Sequence, residues 1–178
     1  MKLVCKSGKE ITIRSLQSSD GAKLFVFFTK ISNEKTFILW QGQKVTLEDE
    51  IKFAKNSAKE IKENKRIHLV AESNNEIIGG CDIKKNSLAL HHTGEMGIVI
   101  AADYRGLGIG KKLMQTVITE AQKKWKDLKI LKLDVFGNNT TAQNLYKKLG
   151  FVECGKIPKG VYYRGRLVDR LTMFKQLR

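Results

Sequence analysis

Three glycines at alternate positions, Gly106, Gly108 and Gly110, lie between an apolar run and a segment with helical periodicity. A strand, a glycine-rich turn and a helix together form an anion site, because the first amides of the helix have no partner within it and the helix dipole is positive there. The glycines remove the side chains that would keep a phosphate group away from those amides. The stretch predicts a phosphate-binding turn, with a purely structural glycine turn as the alternative. Basic residues flank the turn: Arg105, Lys111 and Lys112.

Two familiar phosphate-binding patterns do not fit this turn. The dinucleotide-binding pattern is Gly-x-Gly-x-x-Gly, whereas here the last two glycines are separated by a single residue. The nucleotide-triphosphate loop, Gly-x-x-x-x-Gly-Lys-Ser/Thr, requires a glycine where Arg105 stands and Ser or Thr where Lys112 stands. The spacing therefore disfavours both classes of nucleotide site.

A second segment, "NTTAQNLYKKLG", has the periodicity of a short amphipathic helix. Asn139 is a favourable N-cap for it, and Gly150 is a favourable C-terminal stop. Tyr146 places an ionisable hydroxyl on the apolar face of this helix, where it can serve as a core residue or as an acid. The apolar stripe repeats at i, i+3, i+4 and i+7 and consists of Ala142, Leu145, Tyr146 and Leu149.

Taken together, these two segments resemble the motifs of the GNAT superfamily of acetyl-CoA-dependent N-acetyltransferases. "RGLGIG" matches the Arg/Gln-x-x-Gly-x-Gly/Ala motif of that family at Arg105, Gly108 and Gly110. The resemblance extends from about Glu95 to Phe151. "NNTTAQNLYKKLGF" resembles the family's Asn-x-x-Ala-x-x-Leu-Tyr-x-x-x-Gly-Phe helix, at Asn139, Ala142, Leu145, Tyr146, Gly150 and Phe151.

The resemblance implies acetyl-CoA (CoA) as co-substrate. Backbone amides from Arg105 to Lys111 would hold its pyrophosphate. The preceding strand, Ile98 to Ile100, would splay from its neighbour and pair its backbone with the pantetheine arm. Asn139 would bind CoA or an ordered water, in addition to capping its helix. The implied cofactor-binding residues are Ile98, Val99, Ile100, Arg105, Gly106, Leu107, Gly108, Ile109, Gly110, Lys111 and Asn139.

Acetyl transfer to an amine requires a base for the ammonium and an acid or other stabiliser for the departing thiolate. By the resemblance, Tyr146 lies near the CoA sulfur and is the predicted acid, with a core tyrosine as the alternative. Glu95, near the start of the strand before the turn, is the predicted base, with an exposed strand acid as the alternative. Asp134 and His92 are the substitute bases.

The elements that position these residues follow from hydrophobic periodicity. They predict an α/β (α+β) fold with a single mixed, mostly antiparallel sheet of about seven strands flanked by helices, as in the GNAT fold, and one domain over residues 1–178. Gly94 and Gly97 inside a strand predict a bulge or a close backbone approach. The predicted strands cover 10–16, 66–72, 76–83, 87–101, 128–136, 151–157 and 166–177, and the predicted helices cover 22–31, 46–65, 109–125 and 139–150.

The charge of the chain is strongly positive, at +15 from 33 basic and 18 acidic residues. Such a charge favours polyanions, whether nucleic acid, a membrane surface or a phosphate-rich small molecule. The lysines are spread over every predicted helix rather than clustered with aromatics, so nucleic acid is not the expected partner. No apolar run approaches a membrane span of about 18 residues, and "MKLVCKSGKE" lacks a signal-peptide pattern. We expect a cytoplasmic protein with no membrane partner.

The cysteines and histidines lack the spacing of a metal site or a disulfide framework, so we expect no metal. Cys154 has no histidine nearby in sequence, which disfavours an acetyl-cysteine intermediate. These residues are Cys5, Cys81, Cys154, His68, His91 and His92.

The acceptor is the least determined part of the sequence. By the resemblance, it is bound by the helical region near 22–60 and by a loop at 159–169, which offers Tyr162 and Tyr163 among basic residues. A polyamine site should be rich in acids, and this loop is not, which mildly disfavours a polyamine acceptor. The expected acceptor is the primary amine of a small molecule or of a peptide or protein N-terminus, and a homodimer is compatible with the sequence. The alternative function is a non-catalytic acyl-CoA- or nucleic-acid-binding domain on the same fold.

Overall fold

The computed structural model describes residues 1–5 and 8–177. Within them, eight strands form one sheet in the order β1-β2-β3-β4-β5-β6-β8-β7. Of these pairs, β5–β6 is parallel and the others are antiparallel, which confirms the predicted mixed, mostly antiparallel sheet. The strands are β1 (Lys2–Val4), β2 (Glu10–Ser15), β3 (Arg66–Ser73), β4 (Glu76–Lys85), β5 (Thr93–Ile100), β6 (Ile130–Phe136), β7 (Val152–Tyr163) and β8 (Arg166–Gln176).

Four helices flank the sheet: α1 (Gly21–Asn33), α2 (Leu47–Lys62), α3 (Ile109–Lys124) and α4 (Thr140–Lys148). Three of their N-termini are explained by local chemistry. Thr46 caps α2 by accepting from the amide of Asp49, and Asn139 caps α4 by accepting from the amide of Ala142. Gly108 precedes α3 in the left-handed conformation, with φ of 84°, which glycine adopts without strain.

The two helix pairs cover opposite faces of the sheet. In β3, Leu69 belongs to the core cluster that includes α3, whereas its neighbour Val70 belongs to the cluster that includes α1. Successive strand residues point to opposite faces, so the clusters lie on the two sides of the sheet. The larger cluster buries one face of α3 together with the tryptophan that follows it, namely Leu113, Met114, Val117, Ile118, Ala121 and Trp125.

Two of the predicted boundaries were wrong. The strand predicted over 87–101 begins at Thr93, because residues 88–90 form a 3₁₀ turn that starts at Leu88 with a φ of 55°. The loop predicted over 159–169 is instead a β-hairpin. There β7 continues to Tyr163, and Arg164 and Gly165 make the turn, both with positive φ as in a two-residue hairpin turn.

The glycines inside β5 mark a close approach between strands. The β4–β5 register runs without interruption from Gly94 to Ile100, so this pair of strands has no bulge there. A Cβ added at Gly94 would lie 2.9 Å from the Cγ2 of Ile83. Gly94 therefore lets a neighbouring core side chain pass directly over the strand backbone.

Candidate functional site

The strands β5 and β6 separate after only three paired residues. Their parallel ladder runs from Thr93 to Glu95 on β5 and from Ile130 to Lys132 on β6. Beyond Glu95, β5 remains paired with β4 as far as Ile100, while its other edge faces no strand among the described residues. The backbone of residues 96–100 therefore presents unpaired polar groups to a wedge-shaped gap, which is the splay expected from the sequence.

The glycine turn that follows β5 leaves its amides open. Gly106 and Gly108 both have positive φ, and a Cβ added at either would meet nothing within 4 Å. Within the described chain, the amides of residues 106–111 have no hydrogen-bond acceptor, and the first helical bond runs from Lys112 to the carbonyl of Gly108. An unpaired row of donors at a helix N-terminus is an anion-binding arrangement. The row of open amides begins one residue later than the resemblance implied. The amide of Arg105 is not open, because it donates to the carbonyl of Ala102.

The side chains of the turn anchor it to the protein. Ile109 is fully buried, and Leu107 packs against the same core cluster. The guanidinium of Arg105 donates from Nε to the carbonyl of Ile100 at 2.8 Å and forms an ion pair with Glu34. Arg105 thus links the turn to the end of α1. Lys111 is an exposed cation beside the open amides.

Tyr146 lies on α4 beside the gap between the strands. It is 7% exposed, and burial raises the pKa of its hydroxyl well above the usual value, so the group is protonated at neutral pH. Among the described residues, no side chain or backbone group is recorded in a hydrogen bond with this hydroxyl. Tyr146 and Asn139 both line one cavity of about 480 Å³, which also contains Met96, Ile98 and Val99 of β5.

Acidic and basic side chains alternate across the floor of this cavity. Glu95 lies 3.2 Å from the Nζ of Lys132, and its side chain is 61% exposed. Asp134, on the next strand, accepts a hydrogen bond of 2.7 Å from the hydroxyl of Thr172, and its other oxygen is 4.0 Å from Nε of Arg170. Both Glu95 and Asp134, the predicted base and its first substitute, therefore line the cavity.

Two other residues weighed from the sequence lie elsewhere. His92 immediately precedes β5, and its carbonyl accepts bonds from Lys129 and Ile130; it does not line the cavity. Cys154 is exposed on β7, with its sulfur 3.5 Å from the carbonyl of Thr172. Neither residue is among those that line the cavity.

Sequence reasoning did not anticipate a polar group beneath α2. His68 lines the cavity, and its Nδ1 lies 3.1 Å from the hydroxyl of Ser57, which is fully buried. Burial lowers the pKa of His68 to about 4, so the imidazole is neutral. Beside it, Arg66 donates to Asp82 at 2.9 Å and to Glu60 at 2.8 Å. The alternation of Arg66 and His68 in a strand was the available signal, since both point to the same face.

An aromatic wall closes the opposite side of the cavity. The ring of Phe37 stacks on Tyr163 at 4.6 Å, and Arg164 donates to the carbonyl of Lys35 at 3.0 Å. The hairpin tip thus holds the connection between α1 and α2 over the cavity. Besides Tyr146, the aromatic residues that line the cavity are Phe27, Phe28, Phe37, Trp40, Phe53 and Phe136.

The described residues contain neither a membrane-spanning helix nor a cluster suited to a metal ion. None of the described helices is long and apolar enough to cross a membrane. Across residues 1–5 and 8–177, no group of three or more His, Cys, Asp or Glu side chains has the arrangement of a metal site.

Comparison with known proteins gives matches along most of the chain. A model of the acetyltransferase (GNAT) family matches residues 27–151. The L-amino acid N-acyltransferase MnaT of Escherichia coli is 28% identical over 111 residues, which is 61% of this chain and 63% of that protein. A Bacillus subtilis protein described as a putative ribosomal protein bS18 alanine N-acetyltransferase is 33% identical over 116 residues, 65% of this chain and 72% of that protein.

A solved structure shows the same similarity over the whole fold. The acetyltransferase of the GNAT family from Streptococcus pneumoniae superimposes with a TM-score of 0.83 at 30% identity, covering 94% of this chain and 99% of that one. The family match includes β5, the glycine turn and α4, so it contains the splayed strand and the open amides described above.

Proposed function

The chain belongs to the acetyltransferase (GNAT) family, and we propose that it moves the acetyl group of acetyl-CoA directly to a primary amine. One observation supports this most strongly: the open amides of residues 106–111 follow the unpaired edge of β5, with only a short 3₁₀ turn at residues 102–104 between them. A pyrophosphate requires open amides of the kind found at a helix N-terminus. An extended arm that contains amides requires an unpaired strand edge with which it can form hydrogen bonds.

In this proposal, the residues fit acetyl-CoA as follows. The pyrophosphate accepts from the amides of residues 106–111, with Lys111 adding charge. The pantetheine arm pairs with the backbone of Ile98 to Ile100, which no strand covers on the β6 side, although the carbonyl of Ile100 already accepts from Arg105. The side-chain amide of Asn139 has its oxygen engaged with Ala142, which leaves its nitrogen as a donor to CoA or to water.

The chemistry then runs across the gap between β5 and β6. Glu95 takes a proton from the ammonium of the acceptor, directly or through water, and the free amine attacks the thioester carbonyl carbon. The carbon–sulfur bond breaks, the hydroxyl of Tyr146 gives its proton to the departing thiolate, and the second proton lost by the attacking nitrogen returns through water to the Tyr146 oxygen. Because burial keeps Tyr146 protonated and leaves its hydroxyl without a protein acceptor, the group is suited to that donation.

Several aspects of this function rest on sequence and similarity alone. The acceptor is a small amine or a peptide or protein N-terminus, in keeping with relatives described as acting on amino acids and on a ribosomal protein alanine. We also propose that residues 1–178 form one domain, and that the protein is cytoplasmic, without a nucleic-acid or membrane partner. A homodimer remains compatible with these features.

The experiment that tests the proposal combines binding with turnover. Calorimetry with acetyl-CoA should show saturable binding, and a thiol-release assay over amines, peptides and aminoglycosides should find at least one acceptor. Binding without turnover on any acceptor would favour a non-catalytic acyl-CoA-binding domain. Retention of DNA or RNA in a filter assay, without acetyl-CoA binding, would favour the nucleic-acid alternative.

A further inference from the structure

Arg170 is an arginine of the cavity that has one buried, unsatisfied donor, although its side chain as a whole is 42% exposed. It lies on β8 opposite Phe136 of β6. Its Nε is buried and has no hydrogen-bond acceptor among the described residues, and its nearest acidic oxygen, on Asp134, is 4.0 Å away. By contrast, Arg66 in the same cavity donates to two carboxylates. A buried donor without an acceptor destabilises a folded protein, so the position of the Arg170 Nε group needs a reason.

The neighbouring acid does not satisfy this arginine. One oxygen of Asp134 accepts from Thr172 at 2.7 Å, and the other is beyond hydrogen-bond distance of Arg170. The two residues therefore present opposite charges side by side to the cavity. The amino and carboxylate groups of an α-amino acid, which are carried on one carbon, have the same close spacing of opposite charges.

The charge of the whole cavity favours an acceptor of this kind. Its three acids, Asp82, Glu95 and Asp134, are matched by three bases, Arg66, Lys132 and Arg170. In two of the pairs the charged atoms are within hydrogen-bond distance, at 2.9 Å between Arg66 and Asp82 and 3.2 Å between Lys132 and Glu95. The third pair, Arg170 and Asp134, is open in the sense that its atoms are 4.0 Å apart. A polycation would require a surplus of acids, whereas a zwitterion is suited to a neutral lining that has one open pair.

The remaining lining is aromatic and apolar. Phe28 and Trp40 pack with ring centroids 5.7 Å apart, and Trp40 is 46% exposed at the mouth of the cavity. A large apolar side chain on the acceptor would bury its surface against this wall, at about 25 cal/mol per Å². A small or charged side chain would leave the wall exposed to water.

We propose that Arg170 binds the carboxylate of an acceptor α-amino acid with a large apolar side chain, while Asp134 faces its amino group. This inference rests on the proposed acetyl transfer and specifies its acceptor. Arg170 is then a specificity residue, because it contacts a part of the substrate that does not react.

The test compares L-phenylalanine with L-phenylalaninamide, which differ only in the carboxylate, and with glycine, which lacks the side chain. The native protein should acetylate phenylalanine with a kcat/KM at least about 10-fold above the amide and glycine. Arg170→Gln should lower kcat/KM for phenylalanine about 10-fold or more and change it for the amide less than about 3-fold. Arg170→Lys, which keeps the charge, should retain part of the preference.

The control is Lys123→Gln, which removes a positive charge at an exposed residue of α3 outside the cavity and should leave the kinetics on all three substrates unchanged. Equal turnover of the acid and the amide by the native protein would overturn the inference, as would an equal loss on both in Arg170→Gln. Transfer to peptides or other amines, but not to phenylalanine, would overturn it and leave the acetyltransferase function intact. If no amine is acetylated, calorimetry with phenylalanine and CoA decides: binding that Arg170→Gln abolishes supports the inference, and no binding overturns it.

Discussion

The two halves of the cavity recognise their ligands by different physical means. On the cofactor side, the turn at 105–111 and the edge of β5 offer backbone groups, and the side chains of Leu107 and Ile109 face inward as anchors. On the acceptor side, recognition depends on side chains that five or more separate elements bring together, from Phe28 on α1 to Arg170 on β8. Backbone recognition depends on a conformation, and side-chain recognition depends on a tertiary arrangement.

The electrostatics of the two halves differ in the same way. The glycine turn has open donors and an exposed Lys111, with no acid among residues 105–111. The acceptor side instead holds its charges in neighbouring pairs of opposite sign. An anion is therefore bound at the first half by an excess of positive potential, whereas the second half discriminates by the placement of individual charges.

The largest expected effect tests the backbone half of this comparison. Gly108→Val places a branched side chain where the pyrophosphate must approach the amides, and it forces a non-glycine residue to φ of 84°. We expect the acetyl-CoA Kd to rise about 1,000-fold or more, since two lost charge-assisted hydrogen bonds are equivalent to roughly 3–6 kcal/mol. Calorimetry on a folded variant measures it.

A control is needed because the backbone strain alone contributes about 1–3 kcal/mol. Gly8 has a φ of 79° and open space at its Cβ, and it lies before β2, far along the chain from the turn. Gly8→Val should therefore show similar strain with native acetyl-CoA affinity. Unchanged affinity in Gly108→Val would reject the anion site.

The sequence predicted the cofactor side of the cavity better than the acceptor side. The turn and α4 were predictable because their glycines, cap and apolar stripe are local patterns with physical reasons. The ion pair between Arg105 and Glu34 could not be predicted from the sequence. The two residues are 71 positions apart, and their pairing depends on where α1 ends. A single-strand pattern could place Arg66 and His68 on one face, but it could not show which helix covers them.

The second prediction concerns Tyr146, which the cofactor half positions for chemistry in the gap. Tyr146→Phe keeps the ring and its packing and removes only the hydroxyl, which has no hydrogen bond to preserve among the described residues. Steady-state kinetics should show a loss of about 100-fold in kcat, the lower end for a general acid, because a thiolate is a tolerable leaving group. The Kd for acetyl-CoA and Tm should stay near the native values.

Two outcomes would separate catalysis from packing at this position. Unchanged kcat with the true acceptor would make Tyr146 only a core residue. A large fall in Tm would mean that the hydroxyl satisfies a buried partner, and the kinetic loss would then carry no information about proton transfer.

The third prediction uses the buried imidazole of the acceptor half. The folded pKa of His68 is about 4, against about 6.5 in an unfolded chain, so below pH 6.5 the unfolded state takes up a proton that the folded state does not. Stability is thus lost as the pH falls from 6.5 towards 4. Between pH 7 and pH 5, this contribution falls by about 2 kcal/mol. Urea unfolding at the two pH values measures it.

Matched variants isolate the contribution of His68 from that of other groups. His68→Asn should flatten the dependence over this window, whatever it does to stability at pH 7. His91→Asn, at an exposed histidine, should leave the dependence as in the native protein. A native-like slope in His68→Asn would show that the imidazole is not buried in the neutral form.

The smallest expected effect is at Glu95, where the two halves meet. Glu95 ends the β5–β6 ladder and lies 3.2 Å from the Nζ of Lys132, so it belongs to the gap and to the cavity floor alike. Because its side chain is 61% exposed, water can replace part of its role as a base, and we expect Glu95→Gln to lower kcat only about 10-fold, below the usual range for a general base. The rising limb of the pH profile should flatten, while acetyl-CoA affinity stays native.

Glu153→Gln, at an exposed acid on β7, is the control and should change neither the pH profile nor the affinity. If the profile keeps its shape in Glu95→Gln, the proton goes to Asp134 or to water, and the base then belongs to the acceptor half rather than to the boundary between the two.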